Sequence, residues 1–515
     1  MKLSREIIFE FAWRLSILAL PWQTRFFLDA QLAGWPWEQG RLSFYASWIP
    51  MLLAIVAFVI LGQVRRDPGI QKERQNPFDL SLRRNLFWLV AAFGACTVIA
   101  SPTPIGAAAM WWVQVTLLAA FFVILLRADV NRRKVAFWFV VTLMPHALLA
   151  IMQFASQTVI GSSLLGMASQ NPIDLGVSVV QTNVGRFLRA YGGFPHPNIL
   201  GGWMAVGLLT ALTLNPSPTG AGEGSQIKSF PLHRGGKDRP RSAAEDRWLW
   251  SVEAVFTLAL FYSFSRSAWL AAAVGLVVFT FLSLRAKSER RSNLQMGTAS
   301  ETLVEQEIAA LRRTPLAMTE GEGDCHIASE APRNDRKRLV LTLAIPIILF
   351  AALTFIHRDL VLTRIDVGAS RLEQKSVTSR MQSLKDGVDV FKSNLLFGTG
   401  PNSELPALAS LKNITTSPSP LEPPHMVWLL ILVNFGIVGT LFIAGFGLYL
   451  LRIILNKWNA IDTQNKTLII TLVTCQLILV TFDHYPWSLW SGQVLTFVVL
   501  YFCIGSVPLF VKGDI

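Results

Sequence analysis

Residues 425–451 read HMVWLLILVNFGIVGTLFIAGFGLYLL and contain no Asp, Glu, Lys or Arg. About 20 consecutive apolar residues suffice for an α-helix to cross the hydrocarbon core of a bilayer, so this stretch predicts a membrane-spanning helix. A helix is the expected form because it satisfies the hydrogen bonds of its backbone within one segment, as the bilayer interior requires.

Comparable apolar stretches recur along almost the whole chain of 515 residues. The composition agrees, because 52% of the residues are hydrophobic and 15% are charged, whereas soluble domains carry roughly 25% charged residues. The sequence therefore predicts an all-α integral membrane protein with about twelve transmembrane helices. The predicted spans are 5–22, 44–63, 85–101, 109–126, 135–156, 197–214, 248–264, 267–284, 339–356, 425–451, 467–482 and 488–511.

The basic residues set the predicted orientation. With a cytoplasmic N-terminus, 33 of the 46 Lys and Arg residues fall in cytosolic segments and 13 fall outside. This bias follows the positive-inside rule, so we expect a multi-pass protein with both termini in the cytoplasm. The first span ends at Pro21 rather than in small residues and predicts an uncleaved signal anchor. Because short loops carry most of the net charge of +13, no nucleic-acid partner is expected.

Three regions follow from this arrangement. Residues 1–357 are predicted to hold the first nine spans, residues 358–424 an extracytoplasmic loop domain, and residues 425–515 the last three spans. Two cytosolic segments, 216–247 and 285–338, are polar, rich in Gly and Pro or in charge, and without helical periodicity. We therefore expect them to be disordered inserts.

The loop 358–424 contains a predicted helix of its own. Five apolar residues in it are spaced so that they share one helical face, and the run 398–401 (GTGP) provides a stop signal. The sequence thus predicts an amphipathic helix that either lies on the membrane surface or caps the helical bundle. The five residues are Val377, Met381, Leu384, Val388 and Phe391.

Four segments at or next to the predicted outer ends of the spans carry most of the polar residues there. They are RAYGGFPHPNILGGW (189–203), SFSRSAWLA (263–271), SRMQSLKDGVDVFKSNLLFGTGPNS (379–403) and PPHMVWLLILVNFGIVGTL (423–441). In this order the segments resemble the O-antigen ligase and polymerase superfamily of bacterial membrane glycosyltransferases. PWQTRFF (21–27) is also similar to members of that superfamily. One departure is Met426, since many members have Asn after the histidine.

The resemblance implies a reaction and its setting. A glycan is transferred from an undecaprenyl diphosphate carrier to an acceptor hydroxyl, on the extracytoplasmic face of the bacterial inner membrane. The acceptor is a lipid, a core sugar or a protein, and membrane lipids surround a GT-C-like helical bundle. Whether the chain is a ligase for finished polymers or a polymerase of repeat units stays open.

Arginines are the candidate stabilisers of the diphosphate leaving group. A guanidinium stays charged at neutral pH and offers a planar fork of donors that matches phosphate oxygens. The resemblance marks Arg266 and Arg380 for catalysis. Arg189 and Arg186 are expected to bind the substrate, although Arg266 and Arg186 also have a simpler interpretation as anchors at lipid headgroups.

His425 is the candidate general base, because histidine is neutral near its unperturbed pKa of ~6.5 and can accept the proton of a hydroxyl. No Asp-x-Asp pair is found in the outer segments, so we expect no metal and no other cofactor. Four further polar residues are expected to contact the substrate, and each has an alternative role in shaping a turn or capping a span. They are His196, Asn198, Asp483 and His484.

Two functions from other classes remain as alternatives. A transporter of lipid-linked oligosaccharide needs a polar path through the bundle, and the predicted spans carry few ionisable residues. A non-catalytic scaffold for envelope assembly predicts that the outer Arg and His residues are dispensable.

Overall fold

The computed structural model describes residues 2–64, 90–99, 101–102, 104–128, 130–214, 243–286, 331–366, 368 and 370–507. Most of these residues are helical. The helices are α1 (Lys2–Ala19), α2 (Trp48–Val64), α3 (Val90–Ile99), α4 (Ala109–Arg127), α5 (Arg132–Ser156), α6 (Pro197–Leu214), α7 (Ala243–Tyr262), α8 (Arg266–Ala286), α9 (Ala331–Ile356), α10 (Arg358–Ile365), α11 (Arg371–Ser393), α12 (Glu404–Leu411), α13 (Val427–Asn456), α14 (Thr463–Phe482), α15 (Tyr485–Ser488) and α16 (Trp490–Ile504).

Short strands occur in the loops that connect helices at one end of the bundle. They form three antiparallel pairs, β1 with β4, β2 with β3 and β5 with β6. The strands are β1 (Arg25–Leu28), β2 (Gln31–Leu32), β3 (Trp35–Pro36), β4 (Leu42–Tyr45), β5 (Val179–Gln181) and β6 (Arg186–Leu188).

Five of the described helices are long and apolar enough to cross a membrane. A sixth span results if α9 and α10, which meet at an angle of 93°, count as one bent span. Further apolar helices, α6 and α16 among them, are shorter. The structure thus confirms an all-α membrane protein, whereas the twelve spans remain a prediction. The five helices are Gly106–Arg127, Arg132–Ser156, Arg266–Ala286, Val427–Asn456 and Thr463–Phe482.

The central helix of the bundle is α6, which packs against α5, α7, α14 and α16. Its side chains are buried along nearly the whole length. Two glycines in its first turns allow other chain segments to approach closely. A Cβ atom at Gly201 would lie 2.8 Å from Ser263 Oγ, and one at Gly202 would lie 1.9 Å from Tyr485 Oη. The segments that follow α7 and α14 are thereby held against the beginning of α6.

Helix α11 occupies the region where the sequence predicts an amphipathic helix. Its buried residues include Ser383, Gly387 and Val390, whereas Met381 and Val388 of the apolar stripe are exposed. The helix packs on α12 and α13 through the face that bears the buried residues, and Phe391 of the stripe packs there as well. The reason is steric, because a Cβ atom at Gly387 would lie 2.5 Å from Pro424 Cγ, so the glycine face allows the closest approach.

The predicted disordered inserts lie largely outside the described residues, as does the segment 508–515. The described helices reach into the predicted edges of both inserts. α7 begins at Ala243, and α9 begins at Ala331.

Candidate functional site

Five chain segments converge where helices begin or end on one side of the bundle. They precede α6, join α7 to α8, run from α10 into α11, precede α13 and follow α14. Together they bring two groups of charged side chains next to each other. We call Arg189, Arg266, Arg364 and Arg380 the arginine cluster, and Glu422, His425, Asp483 and His484 the histidine cluster.

Arg189 is the member of the arginine cluster that lies outside the helices, and its side chain is buried. Its Nε donates to the carbonyl of Ser263 at 2.8 Å, and its Nη2 donates to Asn198 Oδ1 at 2.6 Å. Burial, followed by the positive charge of Arg364, lowers the pKa of Arg189 well below its usual value. A buried cation beside other cations is stabilised when an anion enters the site.

Gln153 of α5 fixes the turn that carries Arg189 towards α6. Its Oε1 accepts from the amides of Tyr191 and Gly192 at 3.0 and 2.8 Å, and its Nε2 donates to the carbonyl of Gly192 at 2.9 Å. Gly192 has a φ of +60°, in the region that favours glycine. The YGG part of the sequence therefore serves this turn.

Asn198 joins the two clusters. Its side chain accepts from Arg189 at one atom and donates through Nδ2 to Asp483 Oδ2 at 2.8 Å. His196 supports this position, because its Nδ1 accepts from the amide of Asn198 at 3.1 Å while its Nε2 lies 3.1 Å from Ser178 Oγ. Burial and the nearby Arg189 lower the pKa of His196 to about 3, so it stays neutral.

Arg364 and Glu373 form a buried ion pair that positions Arg266. The Arg364 guanidinium pairs with Glu373 Oε1, and its Nη2 donates to the carbonyl of Phe264 at 2.9 Å. Arg266 Nη1 donates to the carbonyl of Arg364 at 3.1 Å and lies 3.4 Å from Glu373 Oε2. Phe264 has a φ of +45°, which directs the carbonyl in this tight α7–α8 connection.

Arg380 lies half-buried on α11, and its positive charge interacts with Arg189 and Arg266 in its own cluster and with Asp483 in the other. Among the ion pairs of the described residues, none involves Arg380. Glu373 is thus the one carboxylate of the described chain that pairs with the arginine cluster. The cluster keeps an excess of positive charge.

His425 lies between two carboxylates. Its Nδ1 is 3.6 Å from Asp483 Oδ1, and its Nε2 is 3.7 Å from Glu422 Oε2. Burial alone lowers the pKa of His425, but the two carboxylates outweigh it and raise the pKa above its ordinary value. In return, His425 holds the pKa of Asp483 below its usual range despite burial, and it lowers the pKa of Glu422 to about 2.

His484 completes the histidine cluster. Its ring centroid is 4.9 Å from that of His425, and its Nδ1 lies 2.6 Å from Ser488 Oγ. Burial and then the charge of His425 lower the pKa of His484 to about 3, so its ring is neutral. One atom each of His425, Asp483 and His484 lie within 4.8 Å of one another, which makes them a candidate metal group among the described residues.

The arrangement offers two chemical capabilities side by side. The arginine cluster has unneutralised guanidinium groups that can hold an anion and stabilise charge that develops on it. The histidine cluster has a base whose ring is oriented by a carboxylate, as in proton-transfer sites where the second ring nitrogen faces an acid.

The predicted site residues fall into two sets. The structure brings Arg189, His196, Asn198, Arg266, Arg380, His425, Asp483 and His484 into the two clusters or next to them. Arg186 belongs to neither cluster. Its guanidinium donates instead to the carbonyls of Ile173 and Asp174 at 3.0 and 3.2 Å.

Sequence reasoning missed Arg364, Glu373 and Glu422. Arg364 and Glu373 stand nine positions apart on different helices, and no spacing rule pairs them. A signal for Glu422 existed, because it precedes the Pro423–Pro424 pair and lies three positions before the proposed base.

Comparison with known proteins addresses the same region. A family model described as O-Antigen ligase matches residues 253–444. No curated protein matches the chain. The matched range includes Arg266, Arg364, Arg380 and His425, together with three of the four segments that carry the resemblance. The match over residues 253–444 supports the assignment of this membrane protein to the O-antigen ligase superfamily.

Proposed function

We propose that this protein transfers a glycan from an undecaprenyl diphosphate carrier to an acceptor hydroxyl, on the extracytoplasmic face of the bacterial inner membrane. The observation that supports it is the link through Asn198 between an arginine cluster with excess positive charge and the Asp483 carboxylate that faces His425. One group suits a departing diphosphate, and the other suits an attacking hydroxyl.

In this proposal the arginines act on the leaving group. As the bond from the sugar to the diphosphate breaks, negative charge grows on the phosphate oxygens, and guanidinium donors fixed in place stabilise it. Arg266 is held in position by Arg364 and Glu373, and Arg380 keeps its charge free of an ion pair within the described chain. Removal of one such donor typically lowers kcat by about 10²–10³-fold.

His425 acts on the acceptor. The neutral ring accepts the hydroxyl proton at Nε2 while Asp483 faces Nδ1, so the positive charge that forms on the ring meets a carboxylate. Glu422 lies at the same Nε2. The acceptor hydroxyl therefore approaches Nε2 of His425, where Glu422 pairs in the structure. The Glu422 carboxylate also influences how easily Nε2 loses its proton.

A metal is not required by this scheme, because the arginines supply the positive charge that a divalent ion otherwise provides. The candidate metal group shares His425 and Asp483 with the proposed base. A metal bound there would take a ring nitrogen of His425 and a carboxylate oxygen of Asp483, the two groups that the scheme assigns to proton transfer. The two hypotheses therefore make opposite predictions about chelators.

The test is a transfer assay with the purified protein in liposomes, an undecaprenyl-diphosphate-linked glycan and a panel of lipid, sugar and protein acceptors. Arg266→Ala, Arg380→Ala and His425→Ala should each lose at least about 10²-fold in rate. Arg358→Ala, an exposed arginine on the same loop, is the matched control and should keep the rate of the wild type.

The proposal fails if all three variants transfer at the wild-type rate. A rate that falls to zero with EDTA and returns with a divalent ion would contradict the metal-free scheme while leaving transfer itself in place. The mass of the product distinguishes a ligase, which adds one glycan to a foreign acceptor, from a polymerase, which lengthens the carrier-linked glycan.

A further inference from the structure

The segment between α11 and α12, residues 394–403, lies against an interruption inside α13. The interruption is at Gly436, which has a φ of +60° and a non-helical ψ of −168°. Such a break leaves backbone amides and carbonyls without their intrahelical partners. In a membrane span these groups need partners from the protein, because lipid offers none.

The first half of the break receives its partners from the end of the 394–403 segment. The amide of Thr399 donates to the carbonyl of Val433 at 2.9 Å, and the amide of Gly400 donates to the carbonyl of Asn434 at 2.8 Å. Both carbonyls belong to the turn of α13 just before Gly436. The segment thus takes the place of the next helical turn.

The second half of the break is paired by the beginning of the same segment. The amide of Ile437 donates to the carbonyl of Leu395 at 2.9 Å, and the amide of Val438 donates to the carbonyl of Leu396 at 3.1 Å. All four hydrogen bonds have ordinary lengths. Segment and break therefore form one paired unit.

Two glycines make this close approach possible. Gly398 has a φ of +71°, and a Cβ atom there would lie 2.4 Å from the backbone carbon of Asn434. A Cβ atom at Gly436 would lie 2.4 Å from the backbone carbon of Leu396. Since Cβ atoms do not come that close to backbone, only glycine fits at either position.

The break lies within the hydrocarbon part of the span. Arg452 is the first charged residue after the apolar stretch of α13. About 20 residues of helix cross the hydrocarbon core, and counted back from Arg452 they reach Leu432. Gly436 is inside this range, so the segment paired with it is at membrane depth as well.

The side chains of the segment 394–403 divide into exposed apolar groups and buried polar groups. Leu395, Leu396 and Phe397 are 44%, 57% and 64% exposed, and residues 394–403 contain no charged side chain. On the inner side, Asn434 Nδ2 donates to Glu404 Oε2 at 2.9 Å, and both side chains are buried. Apolar groups point outward and polar groups point inward, as in protein that faces lipid.

We propose that residues 394–403 form a re-entrant segment of the bilayer, in which Leu395, Leu396 and Phe397 contact phospholipid acyl chains. The loop domain between α10 and α13 is then anchored in the membrane at its middle and not only at its ends. This anchor fixes the end of α11, the helix that carries Arg380. The inference does not depend on the transfer reaction.

The test uses nitroxide labels on the full chain in liposomes of phosphatidylcholine and phosphatidylglycerol. Cys96 and Cys325 are first replaced by Ala. This background protein is treated with the nitroxide reagent, and the absence of a label shows that buried Cys475 and Cys503 do not react. A label at Phe397→Cys reports collisions with oxygen, which concentrates in hydrocarbon, and with a nickel chelate, which stays in water. Leu396→Cys is a second reporter in case the first variant does not fold.

Two further labels calibrate the measurement. Leu441→Cys, 67% exposed on α13 beyond the break, should show the collision preference of hydrocarbon. Asp389→Cys, 51% exposed on α11, should show that of water. The proposal expects Phe397→Cys and Leu396→Cys to match the Leu441→Cys label. A preference for the nickel chelate overturns it, and so do weak collisions with both reagents, which would mean that protein covers the segment.

Discussion

The arginine cluster and the histidine cluster lie side by side and differ in how their charges are balanced. In the arginine cluster one carboxylate, Glu373, serves two of four guanidinium groups. In the histidine cluster His425 has a carboxylate at each ring nitrogen. The first cluster is left with positive charge for an anion to neutralise. The second has two carboxylates around one titratable ring and is suited to gaining and losing one proton.

The two clusters are joined through one neutral side chain. Asn198 accepts from Arg189 and donates to Asp483, so both charged partners are oriented without either being neutralised. An acid or a base at this position would favour one cluster at the expense of the other. An amide, which has both a donor and an acceptor, serves both.

The largest effect on stability is expected from Glu373→Gln, which removes the one carboxylate of the arginine cluster. The Glu373 and Arg364 side chains are 4% and 7% exposed, and loss of one partner of a buried pair costs about 3–5 kcal/mol. The free energy of unfolding in detergent measures this loss. Asp389→Asn, at an exposed and longer pair with Lys412, is the matched control and should change it by less than about 1 kcal/mol.

Glu373→Gln also tests the direction of the charge argument. With its carboxylate gone, the cluster has a larger excess of positive charge, so a folded fraction of the variant should bind a lipid diphosphate more tightly than the wild type. Weaker binding at retained fold would mean that Glu373 positions Arg266 more than it neutralises it.

The next largest effect is expected from Asn198→Asp, which is nearly isosteric. The new carboxylate pairs with Arg189 but lies beside Asp483, where like charges repel and the donated hydrogen bond is lost. Loss of such a buried hydrogen bond costs about 1–3 kcal/mol, so the transfer rate should fall by about 5–150-fold. Asn198→Ala removes both bonds and serves for comparison. Equal rates for Asn198→Asp and wild type would disprove the link between the clusters.

The sequence predicts more of the fold than of the candidate site. The apolar stretches gave the membrane class and the position of α13, because lipid exposure demands long runs without charge. They could not reveal the interruption at Gly436, since its pairing with residues 395–400 arises from distant parts of the chain. Hydropathy also predicts α6 as a span; its apolar part, Pro197–Thr213, is shorter than the five long helices, so this span remains a prediction.

Site residues could be predicted where their segments resemble a known family. They could not be predicted where their position depends on packing. Arg266, Arg380 and His425 stand in segments with recognisable patterns. Arg364 has no such pattern, and its importance comes from the buried pair with Glu373. The apolar stripe of α11 shows the same limit, because periodicity identifies a helical face but not which of its residues the rest of the protein covers. Met381 and Val388 are exposed, whereas Phe391 packs on the buried cluster that includes Val390.

A smaller effect, on pH dependence, is expected from Glu422→Gln. Two carboxylates raise the pKa of His425, so the proposed base is protonated at low pH and the rate should rise as the pH increases through that pKa. Removal of Glu422 lowers the pKa of His425, so the acid limb of the rate profile should move to lower pH while the rate above the limb stays. Glu422→Asp keeps the charge and should leave the limb nearer its place. An unmoved limb in Glu422→Gln would show that another group titrates.

The smallest effect is expected from Met426→Asn, which changes the structure next to His425 without changing any charge. Met426 is the N-cap of α13, and its side chain makes no capping hydrogen bond. An Asn there can accept from a free amide of the first turn, which typically adds about 0.5–2 kcal/mol of stability. The free energy of unfolding should rise accordingly, and Met426→Ala, which cannot cap, should leave it unchanged. Because neither carboxylate of the histidine cluster is altered, the acid limb of the rate profile should stay in place. A shifted limb would mean that the charge balance around His425 depends on the helix end as well as on Asp483 and Glu422.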